Sequence, residues 1–419
     1  MRSELLGALD GWAGSRIERA MGARHRRRLR RAGRLAQLDP PQDGSLWCAG
    51  DPSPRSGCEL ELLIDGAQAL PRIAEALQQA RSHVHIAGWH LTPGFGLTRT
   101  ADARRLRDVL GELAFVGGID LTSLAGDRYD SNDHPRLGRL GWHDAASRLR
   151  GPAVADVAEH FAARWHAVTG ERLPEAPVPA PAGSHEVQVV RTLPERVYDF
   201  APTGDFRILE AYTRALRTAR RLVYLESQFL WSPQVVEILA AKLREPPSQE
   251  FRVVVLLPAK PNNGADTTRG QLGVLVDADA GAGRFLATTI SARTGELIGP
   301  LYVHAKIAIV DDSWLTIGSA NLNEHSFFND SEMNLIVCDP ELARETRLRL
   351  WAEHLERPVE DVSGQPAEVI DTIWQPVAKE QLERARRGDP RSHHLQQLPG
   401  VSRRTMALMG PLTSLLVDG

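Results

Sequence analysis

The feature that most constrains the fold is segment 301–323, which reads LYVHAKIAIVDDSWLTIGSANLN. From Tyr302 to Val310 the segment alternates in character and is rich in β-branched residues, a pattern that predicts a strand. Residues two apart on a strand share a face, so we expect His304 and Lys306 to point to the same side. The segment therefore predicts a β-sheet that presents an imidazole and an ammonium group to one pocket.

Further polar residues follow this pair at fixed spacing. Asp311 completes the pattern HxKxxxxD, and Asn321 comes directly after a turn at Gly318 and Ser319. Small residues in such a turn let a substrate approach the backbone closely. Glu332 precedes an apolar strand, and we expect its carboxylate to reach the same pocket.

These residue types suit phosphoryl chemistry. A histidine can attack phosphorus or protonate a leaving alkoxide, because its pKa lies near neutrality. A lysine neutralises the phosphoryl oxygens, an asparagine amide donates to them, and a carboxylate on the far imidazole nitrogen fixes the tautomer. Each residue alone is more often structural, but the joint pattern favours a site. We predict His304, Lys306, Asp311 and Glu332 as catalytic residues, Gly318, Ser319 and Asn321 as substrate-binding residues, and no metal.

Composition narrows the class of protein. The chain is 42% hydrophobic and 25% charged, as globular proteins are, and its net charge of -3 gives no general basic field for nucleic acid. Cys48, Cys58 and Cys338 lack CxxC spacing, which argues against a disulfide scaffold or a cysteine-ligated zinc and favours a reducing compartment. No apolar run is long enough to span a membrane, and the N-terminus does not resemble a signal peptide. We expect a cytoplasmic protein without a cofactor.

The N-terminal region carries a dense basic run. One interpretation is a solvated arm, and the other is a contact with anionic lipid headgroups that would make the protein peripheral to a membrane. Leu5, Leu6, Trp12 and Ile17 give the preceding segment an apolar side, which the second interpretation requires. The run consists of Arg24, Arg26, Arg27, Arg28, Arg30, Arg31 and Arg34.

Composition shifts and short repeated strings predict the domain organisation. We expect a basic arm and linker at 1–56, a shortened first lobe at 57–170, a Pro/Ala-rich linker at 171–186, a second lobe at 187–357 and a tail at 358–419. Two pairs of strings recur in the same order, on the same predicted element types, and indicate an internal duplication. The first pair joins 76–81 and 84–86 to 215–220 and 223–225, each read as a helix leading into a buried strand, and the second joins 115–121 to 316–322.

Segment 301–323 resembles the C-terminal catalytic motif of the phospholipase D superfamily. Outside the motif, Tyr224–Phe229 resembles the "YIENQYF" strand of the phosphatidylcholine-type branch, and Gln188–Arg191 resembles the start of that branch's second half. Gly151–Val154, with Phe161 and Trp165, resembles a helix of its first half. The resemblance covers roughly residues 58–356.

This resemblance implies an α/β fold of two similar lobes, each a mixed β-sheet flanked by helices, with one HxKxxxxD motif from each lobe in a shared site. It implies that one histidine becomes a phosphohistidine while the other acts as acid and then as base, which is the role expected for His304. It implies a phospholipid substrate and no metal. Attack by water gives hydrolysis, and attack by an alcohol gives phosphatidyl transfer.

The sequence departs from the family pattern in its first half. Ala103, Arg105 and Leu110 stand where the first motif should place His, Lys and Asp, and we infer a deletion there. Asp144 matches Glu332 in position within its half, and it is either a surface strand residue or a group that orients His304. His90 lies near the expected site, and we interpret it as a packed edge residue.

The missing motif leaves several functions open. We expect an impaired phospholipase D-type phosphodiesterase or phosphatidyltransferase, because general acid–base catalysis alone contributes about 10²–10⁴-fold to such reactions. The alternatives are an inactive protein that binds phosphate or lipid headgroups, a cardiolipin synthase-like transferase, or a nuclease. A homodimer that brings two copies of His304 together is a further alternative, although the first lobe occupies the docking face.

Overall fold

The computed structural model describes residues 20–80, 84–88, 92, 95–97, 114–121, 141–175, 177–260, 265–294 and 297–398. Several expectations fall outside these residues and stay predictions. They concern the apolar side of residues 1–19, His90 and the missing first motif around Ala103, Arg105 and Leu110.

Among the described residues, twelve strands form one mixed sheet that runs through both halves of the chain, and two further pairs of strands lie outside it. The strands are β1 Arg55–Ile64, β2 Ala114–Gly117, β3 Gly141–His143, β4 Ala145–Arg150, β5 His185–Leu193, β6 Asp205–Phe206, β7 Leu222–Glu226, β8 Arg252–Leu256, β9 Phe285–Thr289, β10 Ala292–Thr294, β11 Leu297–Gly299, β12 Leu301–Val303, β13 Ile307–Val310, β14 Trp314–Gly318, β15 Glu332–Val337 and β16 Gln396–Gln397. The order across the large sheet is β16-β9-β8-β7-β13-β14-β15-β5-β1-β4-β2, with β6 beside β5.

Side-chain caps mark the starts of two helices. Ser232 accepts a hydrogen bond from the backbone of Val235, and Asp339 accepts two at the start of the helix that follows it. The helices are α1 (residues 20–31), α2 Leu35–Leu38, α3 Asp65–Gln79, α4 Val154–Thr169, α5 Arg207–Thr218, α6 Pro233–Arg244, α7 Ala265–Asp279, α8 Pro340–His354, α9 Pro366–Val369 and α10 Gln375–Arg387, with a π-helical turn at His325–Asn329.

Alternation along the central strands explains why helices cover both faces of the sheet. In β7, Val223 and Leu225 join an apolar layer that includes Leu239 of α6. Leu222 and Tyr224 face the other way, into a layer that includes Trp351 of α8. Strands that are buried on both sides read as continuous apolar runs, as these do. The predicted α/β class, a mixed sheet flanked by helices, is confirmed.

The two halves of the large sheet have the same local order. In the first half β1 pairs with β4 and β4 with β2, and in the second half β5 pairs with β15 and β15 with β14. The halves join where Arg55 pairs with Val187 and Cys58 with His185. This matching order is consistent with the duplication that the repeated strings indicate, and the duplication itself stays a prediction.

A second connection between the halves is a short pair of strands that positions the candidate site. Strand β3 runs parallel to β12, with Trp142 opposite Tyr302 and His143 opposite Val303. The backbone nitrogen of His304 then donates to the carbonyl of His143 at 2.7 Å. This register brings the residue after β3 next to the residue after β12.

Two of the predicted strands are wrong in detail. The strand expected from Tyr302 to Val310 is two strands, β12 and β13, because residues 304–306 leave the strand conformation to bond with the end of β3. Residues 84–86, expected as a buried strand, form no strand; Val84 and Ile86 instead pack, partly buried, against the cluster around Leu70.

The terminal regions pack against the second half. Residues 20–56, expected as an arm and linker, contain α1 and α2, and Leu29 and Cys48 are buried in the main core. Residues 358–398, from the expected tail, contain α9, α10 and β16, and Trp374 is buried. Within the part of the chain that the structure describes, no helix has the length and apolar character needed to cross a bilayer.

Asp311 lies at the far end of β13 from Lys306 and bonds with backbone, not with the site. Both Asp311 and Asp312 have positive φ angles, which aspartate tolerates in a tight turn between strands. The Asp311 carboxylate accepts hydrogen bonds from the backbone nitrogens of Arg220, Arg221 and Leu222 at 2.7–2.8 Å. Asp311 therefore stabilises the backbone at the start of β7.

We expect Asp311→Ala to lower the free energy of unfolding by about 1–3 kcal/mol, since three backbone donors lose their acceptor. Asp311→Asn keeps one carbonyl oxygen and should lose less. Urea denaturation of both variants measures the effect. A direct catalytic role for Asp311 would be indicated instead if Asp311→Ala kept its stability and lost activity per folded molecule.

Candidate active site

The centre of the candidate site is a contact between the two halves. The Nδ1 atom of His304 lies 2.7 Å from Oδ2 of Asp144, and the side chains are 14% and 3% exposed. Burial alone would raise the pKa of Asp144, but His304 and Lys306 outweigh it and lower the pKa to about 2. The carboxylate is thus ionised, and it fixes the imidazole with Nε2 as the nitrogen that can exchange a proton with a substrate.

Aromatic rings and a glycine shape the surroundings of this pair. The ring of Trp142 meets the ring of His304 edge-on, with centroids 4.7 Å apart. A Cβ atom at Gly118 would come within 2.6 Å of Asp144 Oδ1 and 3.1 Å of Lys306 Nζ. Only a glycine leaves room there for the carboxylate and the ammonium group.

Lys306 belongs to the same site as His304, although not through strand alternation. Its ammonium group donates to the carbonyl oxygen of His304, and only 3% of the residue is exposed. Its charge also lowers the pKa of Asp144. The imidazole and the ammonium group lie together as expected, but they do so because the strand is interrupted at residues 304–306.

Asn321 is tied to the loop that follows β7. Its side-chain oxygen accepts from the backbone nitrogen of Gln228 at 3.3 Å, and its amide donates to the Gln228 side chain at 3.3 Å. The side chain of Gln228 in turn donates to the hydroxyl of Tyr302, in β12, at 2.9 Å. These bonds connect the turn after β14 to the strand that leads into His304.

Glu332 sits at the start of β15 in the position that Asp144 has before β4. The hydroxyl of Ser319 donates to it, and the hydroxyl of Ser326 does so at 2.7 Å. Burial raises the pKa of Glu332 to about 7, against the opposing effect of these hydroxyl groups and of Lys306. Gly318, predicted to admit substrate, packs instead against β15, where a Cβ atom would lie 2.2 Å from Asn334 Oδ1.

A buried ionic cluster lies directly behind the site. The imidazole of His143 contacts Asp65 at 3.0 Å and Glu226 at 2.8 Å, and Glu226 also contacts His354 at 3.0 Å and the hydroxyl of Tyr224 at 2.5 Å. Burial alone would lower the pKa of His143, but its two carboxylate neighbours raise it. Burial would raise the pKa of Glu226, but the two imidazoles lower it.

Among the described residues, two sets of side chains in this region could share a metal ion: His143, Glu226 and His354, and Asp65, His143 and Glu353. The relevant atoms of His143, Glu226 and His354 lie within 4.8 Å of one another. Each Glu226 oxygen already forms a hydrogen bond with an imidazole, however, and zinc–nitrogen bonds are about 2.0–2.1 Å long. Ion pairing accounts for these contacts, and we assign the cluster a structural role.

The structure brings His304, Lys306 and Asp144 together at the predicted site. It resolves the two interpretations of Asp144 by placing it against His304, and it places Asp311 elsewhere. The sequence analysis missed the cluster around His143, because its members come from four distant segments. The string Trp142-His143-Asp144 was the available signal.

The chain is similar to several known proteins. Residues 212–352 match the family model described as "Cardiolipin synthase, PLD-like domain". Phospholipase D A of Dictyostelium discoideum is 26% identical over 282 residues, which cover 54% of this chain and 22% of that protein. Phospholipase D alpha 1 of Cynara cardunculus is 25% identical over 433 residues, covering 70% and 52%. The chain thus spans about half, or less, of the length of these relatives.

A solved structure, phosphatidylserine synthase of Haemophilus influenzae Rd KW20, aligns over 78% of this chain and 93% of that chain. The sequence identity is 12% and the TM-score is 0.41.

In this mixed α/β sheet, a His-Lys pair from one half lies beside a carboxylate from the other half. The chain belongs to the phospholipase D superfamily.

We expect Glu332→Gln to change stability in a pH-dependent way. The pKa of Glu332 is about 7 in the folded chain, against an ordinary value of 4.5 that we take for the unfolded chain. Folding therefore favours the protonated carboxyl group. Below about pH 4.5 the wild type and the variant should have similar stability. As the pH rises to about 7 the wild type should lose stability relative to the variant, and the difference should then stay constant.

Denaturation of both proteins at several pH values measures this difference. The exposed Glu175→Gln serves as the control for losing a carboxylate in solvent. A wild type that gains stability over Glu332→Gln as the pH rises would show that the carboxylate is ionised and paired in the folded chain.

Proposed function

We propose that this protein cleaves or exchanges phosphodiester bonds of glycerophospholipids, with His304 as its acid–base group. The contact between His304 Nδ1 and Asp144 carries the proposal, since it leaves the outer nitrogen of the ring for the substrate. Water or an alcohol bonds to phosphorus as the alkoxide leaves, and the imidazolium donates its proton to that alkoxide. The neutral ring then takes up the proton released by the attacking oxygen, which restores the imidazolium.

Lys306 and Asn321 complete the proposed phosphate site. The ammonium group of Lys306 lies beside the backbone of His304, where it stabilises negative charge on the non-bridging oxygens of the phosphate. The amide of Asn321 is held by Gln228, so its orientation is set before substrate binds. Preorganised donors of this kind stabilise a transition state without reorganisation.

Only one HxKxxxxD motif occurs in the sequence, and we therefore expect a low rate of phosphodiester cleavage. The resemblance to the family implies a phosphohistidine on a second histidine, from a motif that the first half lacks. Residues of such a site act as a unit, so the absence of one partner costs much of the catalysis. We therefore propose slow turnover.

The test is release of choline from phosphatidylcholine vesicles by the full chain, with and without ethanol. We expect release above a His304→Ala control, and phosphatidylethanol when ethanol is present. Release equal to that of His304→Ala would overturn the proposed enzyme. Retained vesicle binding without release would then support the alternative, an inactive protein that binds lipid headgroups.

We expect Asp144→Asn to lower turnover by about 10²–10⁴-fold while the chain stays folded. The amide has the same size but neither fixes the correct imidazole tautomer nor stabilises the imidazolium. Turnover per folded molecule, checked by circular dichroism, measures the effect, and the exposed Asp199→Asn is the control. Equal turnover of Asp144→Asn and the wild type would remove Asp144 from the mechanism.

A further inference from the structure

Helix α1 presents one face to the core and a different, strongly basic face to solvent. His25 and Leu29, four residues apart, are buried at 4% and 0% exposure. Arg24, Arg27 and Arg31 recur at intervals of three and four residues and are exposed, so they share the opposite side of the helix. The exposed face also carries Arg26 and Arg30.

The charge on this face is largely uncompensated. Arg26 lies 3.6 Å from Asp39, and both side chains are about half exposed. None of the other exposed arginines, Arg24, Arg27, Arg30 and Arg31, forms an ion pair with a described residue. A chain with a net charge of -3 thus concentrates positive charge on one side of one helix.

Contacts on the inner face fix the position of the helix. The ring of His25 stacks on Phe328 with centroids 3.9 Å apart, and its Nε2 lies 3.3 Å from Glu324. Arg28 donates to the backbone of Phe328 at 2.8 Å and to Asn329 at 3.1 Å. The basic face is therefore part of the folded surface, in contrast to the solvated arm that the sequence allowed.

The turn that holds α1 also belongs to the candidate site. Ser326, which lies in the same π-helical turn as Phe328, donates to Glu332. The backbone of Asn321 donates to Ser326 at 3.1 Å. The turn at His325–Asn329 therefore contacts both α1 and the candidate site. A ligand that binds α1 would be held close to the site.

We propose that the outer face of α1 binds the anionic surface of a phospholipid bilayer. Each arginine near such a surface contributes about 1 kcal/mol to binding, which corresponds to a roughly fivefold higher partition coefficient of the protein onto the membrane. The choice of a lipid surface over a nucleic acid rests on the proposed function, since a phospholipid substrate lies in a bilayer. The binding itself requires no turnover.

The experiment is vesicle flotation with the full chain. The vesicles contain phosphatidylcholine alone or with about one third phosphatidylglycerol, at low salt and at about 1 M salt. The variant carries Arg24→Gln, Arg27→Gln, Arg30→Gln and Arg31→Gln. The control variant removes the same number of exposed arginines elsewhere, by Arg172→Gln, Arg244→Gln, Arg386→Gln and Arg387→Gln.

We expect the wild type and the control variant to bind anionic vesicles at low salt and to be released at high salt. The α1 variant should bind anionic vesicles roughly 600-fold more weakly than the wild type, with an unchanged circular dichroism spectrum. Equal losses in the two variants, or equal binding to vesicles without anionic lipid, would overturn the proposal. So would tighter binding to a duplex nucleic acid than to anionic vesicles at the same salt.

The two proposals fail separately. Binding through α1 without choline release would contradict the proposed enzyme and leave the lipid-binding face in place. Choline release by the wild type with no loss of vesicle binding in the α1 variant would support the proposed enzyme and contradict the lipid-binding face.

Discussion

A carboxylate from one half of the chain holds the imidazole from the other half, and the site depends on this contact. Asp144 and His304 meet because β3 and β12 pair in parallel, which places the residues that follow them side by side. The backbone of His143 accepts from the nitrogens of both His304 and Ala305. The pairing that joins the halves therefore also interrupts the strand at His304 and turns His304 toward Asp144.

The ionic cluster behind this contact explains why the register holds. His143 lies between Asp65 and Glu226 with no exposure of its side chain, and the backbone nitrogen of Asp144 donates to Asp65 at 2.8 Å. Removing one partner from a buried ion pair leaves an uncompensated charge, which typically costs about 3–5 kcal/mol. A shift of β3 by one residue would break these bonds and separate Asp144 from His304 at once.

Two carboxylates at matching positions in the two halves show how a partner decides ionisation. Asp144 faces an imidazole and an ammonium group, and its pKa falls to about 2. Glu332 faces two hydroxyl groups, and burial raises its pKa to about 7. Matching positions in the two halves therefore hold an ionised carboxylate in one half and a carboxyl group with a pKa near neutrality in the other.

The local sequence was enough to predict the α/β sheet, the family resemblance and the pair His304 and Lys306, because alternation and motif spacing act within a few residues. It did not determine which carboxylate orients the imidazole, or that Asp311 supports the start of β7. Nor did it reveal the cluster around His143, or the docking of α1. The contact between His304 and Asp144 joins residues 160 positions apart, and no local pattern records such a pairing. Only the packing of one half against the other decides it, since strand register and burial exist in the folded chain alone.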